Sequence, residues 1–181
     1  MEPFEFYMQQ AIQKAYEGIE RSEYPFGCCI VCGDNYIATY NTCSSSKNPL
    51  QHAEINAIKY MHDHGMFSEA PILVFTTVEP CLMCLGALNW IKISKLFYGL
   101  GIDISEKMGF NEVHFSIQNI VNRFPYTVEV HSNFMEQECQ ELICCWTILY
   151  RKKIKKNFIK NILCVLGKNF VCMLLHFVAI L

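Results

Sequence analysis

Residues 51–65 read QHAEINAIKYMHDHG and residues 76–88 read TTVEPCLMCLGAL, and these two stretches decide which fold and chemistry the chain can have. The first stretch places Glu54 two residues after His52. The second contains two cysteines that are separated by two residues and preceded by a proline. One imidazole and two thiols are typical zinc ligands, and a nearby carboxylate that does not bind the metal can carry protons. The pattern therefore predicts a mononuclear zinc site with its own proton carrier.

The spacing of the two cysteines follows from the geometry of a helix. Cys81 and Cys84 are three residues apart, so at the start of a helix both sulfurs point to the same side. Pro80 suits the first turn of that helix, where its missing N–H is not needed. The partial positive charge of the helix start favours the thiolate forms that bind metal. His52, at the start of another predicted helix, would supply the third ligand and leave the fourth position to water.

Glu54 would lie near that open position without binding the metal. A zinc-bound water has a pKa close to neutrality, and the carboxylate can take its proton and deliver it to a substrate. His-x-Glu followed by Pro-Cys-x-x-Cys is the signature of the zinc deaminases. The competing interpretations are a solvated helix cap, a redox pair and a structural zinc knuckle. A structural site needs four ligands, and no second C-x-x-C or His pair is placed to complete one.

The composition indicates one intracellular domain with an extension. The chain has 181 residues, 52% of them hydrophobic, which is enough to bury a real core. Its 11 cysteines are irregularly spaced and its start does not resemble a signal peptide. Because zinc thiolates need reducing conditions, we expect a cytoplasmic protein.

Charge is divided unevenly along the chain. Residues 1–150 carry 8 basic and 17 acidic side chains, whereas residues 151–181 carry 7 basic and no acidic ones. The formal net charge of the whole chain is −2. An acidic body argues against a broad nucleic-acid footprint on that part, so a polyanion would have to contact the tail.

Hydrophobic periodicity and turn signals predict an α/β protein. Strands separated by helices imply a mixed sheet with helices on both faces, a three-layer sandwich that fills a domain at residues 1–153. Three cysteines of the first strand, Cys28, Cys29 and Cys32, are expected to be small core residues. The predicted elements are helices over residues 3–21, 52–65, 81–91 and 135–153, strands over 28–32, 36–40, 72–77, 94–98 and 126–130, a loop over 41–50, and a loop with one or two short turns over 99–124.

The tail at residues 154–181 is basic and then hydrophobic. A basic run, RKKIKK at residues 151–156, precedes about twenty mostly apolar residues, which is enough to span a bilayer with a positive cytoplasmic flank. Lys168 and His176 interrupt the apolar stretch, and a charge inside a span is costly. The tail is therefore compatible with a membrane contact, an amphipathic or partner-binding helix, or an extension from an altered reading frame.

Three motifs carry a family resemblance over residues 8–151. They are Pro25-Phe26-Gly27 before the first strand, Asn41 eleven residues before His52, and the HAE and EPCLMC pair. The chain resembles the cytidine deaminase-like superfamily, in the branch of guanine deaminases, cytosine deaminases and tRNA wobble adenosine deaminases. The resemblance implies a central five-stranded sheet, one zinc ion per chain and a homodimer. It also implies that the substrate-binding residues are Phe26, Asn41, Ala53 and Trp90.

The segment at residues 85–115, LGALNWIKISKLFYGLGIDISEKMGFNEVHF, is similar to guanine deaminases and related bacterial nucleoside deaminases. In that comparison Trp90 matches a pocket tryptophan, and Glu112 falls where those enzymes carry a second catalytic acid, usually aspartate. We therefore expect Glu54 and Glu112 to be catalytic, with guanine converted to xanthine and ammonia. The segment at residues 133–153 instead resembles the last helix of the tRNA enzymes, which keeps adenosine-to-inosine deamination in tRNA as the alternative.

Two further hypotheses belong to other classes of protein. One is a catalytically inactive subunit that keeps zinc only for structure, although such a site has no use for Glu54 at its position. The other is a membrane-tethered interaction protein, which depends wholly on the tail at residues 154–181. The favoured substrate is thus a small purine or nucleoside, bound by a cytoplasmic homodimeric zinc hydrolase.

Overall fold

A computed structural model of the chain describes residues 3–110, 113 and 115–151. The predictions that concern Glu112 and the tail at residues 154–181 lie outside these described residues. The described elements, in chain order, are α1 (Pro3–Glu20), β1 (Gly27–Cys32), β2 (Asn35–Tyr40), α2 (Cys43–Ser46), α3 (Ala53–Asp63), β3 (Ile72–Val78), α4 (Leu82–Trp90), β4 (Lys95–Leu100), α5 (Asp103–Met108), α6 (Gln118–Val121), β5 (Glu129–His131) and α7 (Glu136–Arg151).

The five strands form one mixed sheet in the order β2-β1-β3-β4-β5. β1 pairs antiparallel with β2 in a hairpin, whose turn uses the left-handed backbone of Gly33 (φ 60°), and antiparallel with β3 on its other side. β3, β4 and β5 run parallel, and α4 makes the crossover between the first two. This arrangement confirms the predicted mixed five-stranded sheet.

Alternating residues of the strands belong to two separate hydrophobic cores, because successive side chains point to opposite faces of a sheet. On one face Ile30, Val74 and Leu96 pack with the buried sides of α3 and α4. On the other face Cys29, Phe75 and Phe97 pack with α1 and α7. The predicted three-layer sandwich is therefore confirmed, and Cys28, Cys29 and Cys32 are all fully buried.

The observed elements differ from the predicted ones mainly in the irregular stretches. The loop predicted over residues 41–50 contains the four-residue helix α2, and the loop predicted over 99–124 contains α5 and α6. Helices this short are too brief to show a hydrophobic period in the sequence. β5 covers Glu129–His131, whereas the sequence predicted a strand over residues 126–130. Tyr126 lies before the strand, and its hydroxyl donates a hydrogen bond of 2.8 Å to the Asn89 carbonyl.

Several elements begin or end at one end of the central strands of the sheet. β1 begins and β3 ends there, and Gly27 N–H donates to Thr77 Oγ1 at 3.1 Å. Gly27 has no room for a side chain, since a Cβ would lie 2.0 Å from the Ala11 carbonyl oxygen. The helices α3 and α4 both start at this end of the sheet. Among the helices that the structure describes, none combines the length and the apolar composition needed to cross a bilayer.

Candidate metal centre and active site

Two helix starts bring the predicted zinc ligands together. His52 is the N-cap of α3 and Cys81 is the N-cap of α4, and both have extended backbones before the first helical residue. The helices then begin with hydrogen bonds from Asn56 N to the His52 carbonyl and from Leu85 N to the Cys81 carbonyl. Pro80 therefore precedes the cap and does not lie in the first turn, as the sequence had suggested, because α4 begins at Leu82.

The three ligand atoms have the spacing that a zinc ion needs. His52 Nδ1 lies 3.7 Å from Cys81 Sγ and 3.5 Å from Cys84 Sγ, and all three atoms lie within 4.8 Å of one another. Tetrahedral coordination with ordinary Zn–S and Zn–N bonds separates a sulfur from a nitrogen by about 3.6 Å. The residues present therefore fit a zinc ion and leave its fourth position open.

The sulfurs of Cys81 and Cys84 interact, and their pKa values are shifted in opposite directions. The pKa of Cys81 is lowered to about 4, because a hydrogen bond with Cys84 stabilises its thiolate and His52 adds a second one. The same interaction raises the pKa of Cys84 well above its ordinary value, and burial adds to the effect. Because metal ligands bind as thiolates, a positive ion at this site would favour the deprotonated form of both sulfurs.

Glu54 lies in the first turn of α3 and is only 8% exposed. The pKa of Glu54 is raised to about 7, chiefly by burial and also by the negative charge of Cys81, while His52 opposes the shift. A divalent cation on the neighbouring ligands would also oppose it, since positive charge favours the carboxylate.

Glu54 and two of the metal ligands, His52 and Cys81, border a small cavity. Its volume is about 20 Å³, slightly more than one water molecule needs. Its lining consists of Phe26, Gly27, His52, Glu54, Thr77, Val78, Glu79, Cys81 and Ser105.

A larger cavity of about 390 Å³ adjoins the small one at Phe26 and His52. Asn41, which forms part of its wall, is 1% exposed, and its Nδ2 donates a hydrogen bond of 2.6 Å to the Tyr24 carbonyl. Its Oδ1 has no hydrogen-bond partner among the described residues, so it can accept a hydrogen bond from a ligand. The lining residues are Tyr24, Phe26, Asn41, Cys43, Ser44, Lys47, Pro49, His52 and Phe110.

The rim of the larger cavity is held by a residue that sequence analysis missed. The carboxylate of Glu23, 1% exposed, accepts hydrogen bonds from the backbone N–H groups of Ser44 (2.9 Å) and Ser45 (2.7 Å). Burial would raise the pKa of Glu23, but the hydrogen bonds from Ser45 and Ser44 outweigh it and lower the pKa. The only signal in the sequence was a carboxylate beside the Tyr-Pro-Phe-Gly break, which alone does not identify such a contact.

Aromatic rings form the opposite wall of the larger cavity. Phe110, which follows α5, lies 5.0 Å from Phe26 and 4.9 Å from Tyr24 between ring centroids. Trp146 of α7 lies 5.7 Å behind Phe110. Of these residues only Phe26 was predicted to bind substrate, because Phe110 and Trp146 come from distant parts of the chain.

Two predicted substrate-binding residues do not line either cavity. Trp90 ends α4 and is 85% exposed, at the opposite end of that helix from the metal ligands. Ala53 is 1% exposed with its side chain in the core, and its carbonyl accepts a hydrogen bond of 2.6 Å from Thr39 Oγ1. The side chains of Phe26 and Asn41 do line the larger cavity, whereas Glu112 is not among the described residues.

Comparisons with known proteins agree with this geometry. A tRNA-specific adenosine deaminase from Streptococcus pyogenes is 29% identical over 160 residues, which covers 86% of this chain and 91% of that protein. A solved structure from a study of tRNA:A34 deaminases is 25% identical, with a TM-score of 0.62 and coverage of 76% of this chain and 98% of that one. Guanine deaminase from Bacillus subtilis is 29% identical, with a TM-score of 0.55 and coverage of 60% and 71%.

The family model described as the cytidine and deoxycytidylate deaminase zinc-binding region matches residues 1–100. That match covers more than half of the chain and includes His52, Glu54, Cys81 and Cys84. With a ligand set that fits zinc at the edge of the expected sheet, the chain belongs to the cytidine and deoxycytidylate deaminase family and is a zinc-dependent deaminase, a hydrolase of C–N bonds.

Proposed function

We propose that this deaminase converts adenosine to inosine in tRNA. The observation that carries the proposal is the place of the larger cavity, which adjoins the metal ligands at His52 and opens through the exposed residues Ser44, Lys47 and Pro49. Such an opening suits a base that enters the cavity while its ribose and phosphates stay outside. The long match with a tRNA-specific adenosine deaminase supports the same substrate class.

The walls of the larger cavity suit a flat heterocycle. Phe26 and Phe110 offer apolar faces on which a base can stack, and stacking on aromatic side chains is common in RNA recognition. Asn41 Oδ1 is a buried acceptor without a partner among the described residues, so it can accept a hydrogen bond from an N–H or O–H group of the nucleoside. A base held between these groups would present its amine-bearing carbon towards His52.

Glu54 is proposed to be the proton carrier of the reaction. Zinc, when bound by His52, Cys81 and Cys84, supplies a Lewis acid that lowers the pKa of water and stabilises negative charge. Glu54 then takes a proton from the attacking water and delivers it to the ring nitrogen beside the reacting carbon. It passes the second proton, from the new hydroxyl, to the amine, which leaves as ammonia while a carbonyl forms.

Conversion of guanine to xanthine is the second candidate. The likeness of residues 85–115 to guanine deaminases favours it, as does the 29% identity with the Bacillus subtilis enzyme. We rank it second because Trp90, which the sequence placed in the pocket, is exposed and lines neither cavity of its own chain. Its other support, Glu112, lies outside the described residues.

A substrate panel tests the choice directly. Purified zinc-loaded protein is incubated with an anticodon stem-loop that carries adenosine at the wobble position, and with a matched stem-loop that carries guanosine there. Free adenosine, guanine and cytosine complete the panel, and products are measured by mass spectrometry together with ammonia release. We expect inosine only in the adenosine stem-loop. Xanthine from free guanine without inosine in RNA would reject the proposal in favour of the second candidate.

We further propose a homodimer formed through the outer face of α3 and α4. A groove of about 480 Å³ lies between these helices, lined mainly by apolar side chains, and the exposed Trp90 is at the end of α4. Burial of such a surface by a second copy would remove it from water. Sedimentation should give a dimer for the native protein and a monomer for Ile58→Glu, with Glu69→Gln, at an exposed side chain that does not line this groove, as the control.

A reducing compartment is proposed as the site of action. The nine cysteines among the described residues are all free, and both metal-binding sulfurs need to remain reduced. Fractionation of cells that express a tagged protein should recover it with cytosolic markers. Recovery in the membrane pellet would instead support the contact proposed from the tail at residues 154–181.

A further inference from the structure

We propose that Glu79 is a positioning residue that fixes a segment, the described residues of 101–117, beside both cavities. Glu79 directly follows β3 and is 5% exposed. Its Oε2 accepts a hydrogen bond of 2.8 Å from Ile102 N, and its Oε1 accepts one of 2.7 Å from Ile117 N. Oε1 also accepts a hydrogen bond of 2.9 Å from Ser116 Oγ.

A single carboxylate thereby ties together the two ends of the segment. Ile102 lies 23 residues after Glu79 and Ile117 lies 38 residues after it, yet both N–H groups point to the same side chain. The backbone N–H of Glu79 also donates to the Leu100 carbonyl at 2.7 Å, so the end of β4 is held as well. Bonds to a charged acceptor are stronger than neutral ones, which makes Glu79 an effective clamp.

The segment carries walls of both cavities. Ser105, 1% exposed, lines the small cavity with Glu54 and two of the metal ligands. Phe110 lines the larger cavity and contacts the ring of Phe26. A shift of the segment would therefore change how the substrate ring is held, without moving any metal ligand.

Kinetics separate this role from a merely structural one. If Glu79 served stability alone, its loss would reduce the fraction of active molecules, lower the apparent kcat and leave KM unchanged. If it positions the cavity wall, each active molecule binds substrate less well, and KM rises. Zinc content should be the same in both cases for protein that remains folded.

The test compares Glu79→Gln with the native full chain, both loaded with zinc. Glutamine keeps the shape but offers one acceptor oxygen where the carboxylate offers two. We expect KM to rise by roughly tenfold with kcat changed by less than about threefold, as the loss of one charged hydrogen bond implies. Amide exchange in residues 101–110 should become faster. Glu129→Gln, at an exposed ion pair with Lys95, is the matched control and should leave KM and exchange unchanged.

Ser116→Ala provides a second variant should Glu79→Gln fail to fold. It removes one hydrogen bond to Oε1 and leaves the carboxylate in place, so a smaller rise in KM and faster exchange are expected. Native exchange rates and KM in both variants, or in the only one that folds, would overturn the proposal. Kinetics use whichever substrate the panel identifies, and exchange needs no substrate, so this test can fail independently of the tRNA assignment.

Discussion

The metal side and the substrate side of the candidate active site differ in the sequence separation of their residues. The metal side consists of two short motifs at helix starts, with His52, Glu54, Cys81 and Cys84. The substrate side is assembled by contacts between distant segments, and consists of Tyr24, Phe26, Asn41, Phe110 and the loop Cys43–Pro49. The difference teaches that the chemistry is encoded locally, whereas the shape that selects a substrate depends on the tertiary fold.

The sharpest way to test the local character of the metal side is to remove one ligand. Cys81→Ala and His52→Ala should each lose zinc and deaminase activity together, because two remaining ligands cannot hold the ion in a catalytic site. Metal content by atomic emission and ammonia release are measured on the same samples. Cys29→Ala, at a buried cysteine of the second core, is the control and should keep the metal. Full zinc occupancy in Cys81→Ala would refute the assigned ligand set.

Removal of the proposed proton carrier should separate binding of the metal from turnover. In Glu54→Gln, zinc content should be unchanged while kcat falls by about 10²–10⁴-fold, the usual contribution of general acid–base catalysis. The side chain is buried at the small cavity but is not needed to hold the ion. Rates within threefold of the native enzyme would show that another group moves the proton.

These two sides also mark what could be predicted from the sequence. The ligands and Glu54 share fixed spacings within single helix starts, and the strands carry long apolar runs, so both were recognised. The helices α2, α5 and α6 are too short for a period to appear. The role of Trp90 stays a prediction, because a motif match fixes its position along α4 but not which surface its exposed side chain meets.

The carboxylates that hold the substrate side in place show no comparable motif in the sequence. Glu23 and Glu79 are single carboxylates in the sequence, and nothing local shows that their acceptors lie opposite backbone N–H groups 21 to 38 residues away. Asn41 was identified only by resemblance, and the structure adds that its Oδ1 is buried without a partner among the described residues.

Replacement of Glu23 should have a moderate effect on stability and on KM, and it tests whether the substrate side is independent of the metal side. Glu23→Gln should weaken the hold on Ser44 and Ser45, lower the free energy of unfolding by about 2 kcal/mol and raise KM without loss of zinc. The exposed Glu69→Gln is the control. Denaturant unfolding, zinc content and kinetics provide the measurements. Loss of zinc in Glu23→Gln would mean that the two sides are not independent.

The same variant carries a pH signature. Because the pKa of Glu23 is lowered on folding, its stabilisation is present above its ordinary value of 4.5 and is lost as the pH falls through the lower folded pKa. The native protein should thus lose more stability than Glu23→Gln over that acid range. Parallel acid profiles would contradict the assigned hydrogen bonds.

The smallest effect is expected from removal of the chain beyond the catalytic domain. The buried side of α7, with Cys139, Leu142 and Ile143, packs into the body well before residue 153. A protein shortened to residues 1–153 should therefore keep its zinc, and its melting temperature should change by no more than about 2 °C. The removed residues 154–181 carry 4 of the 7 basic residues found from position 151 onward, so the salt dependence of RNA binding should weaken. An unfolded or zinc-free shortened protein would show that the tail completes the fold, and would place the domain boundary beyond residue 153.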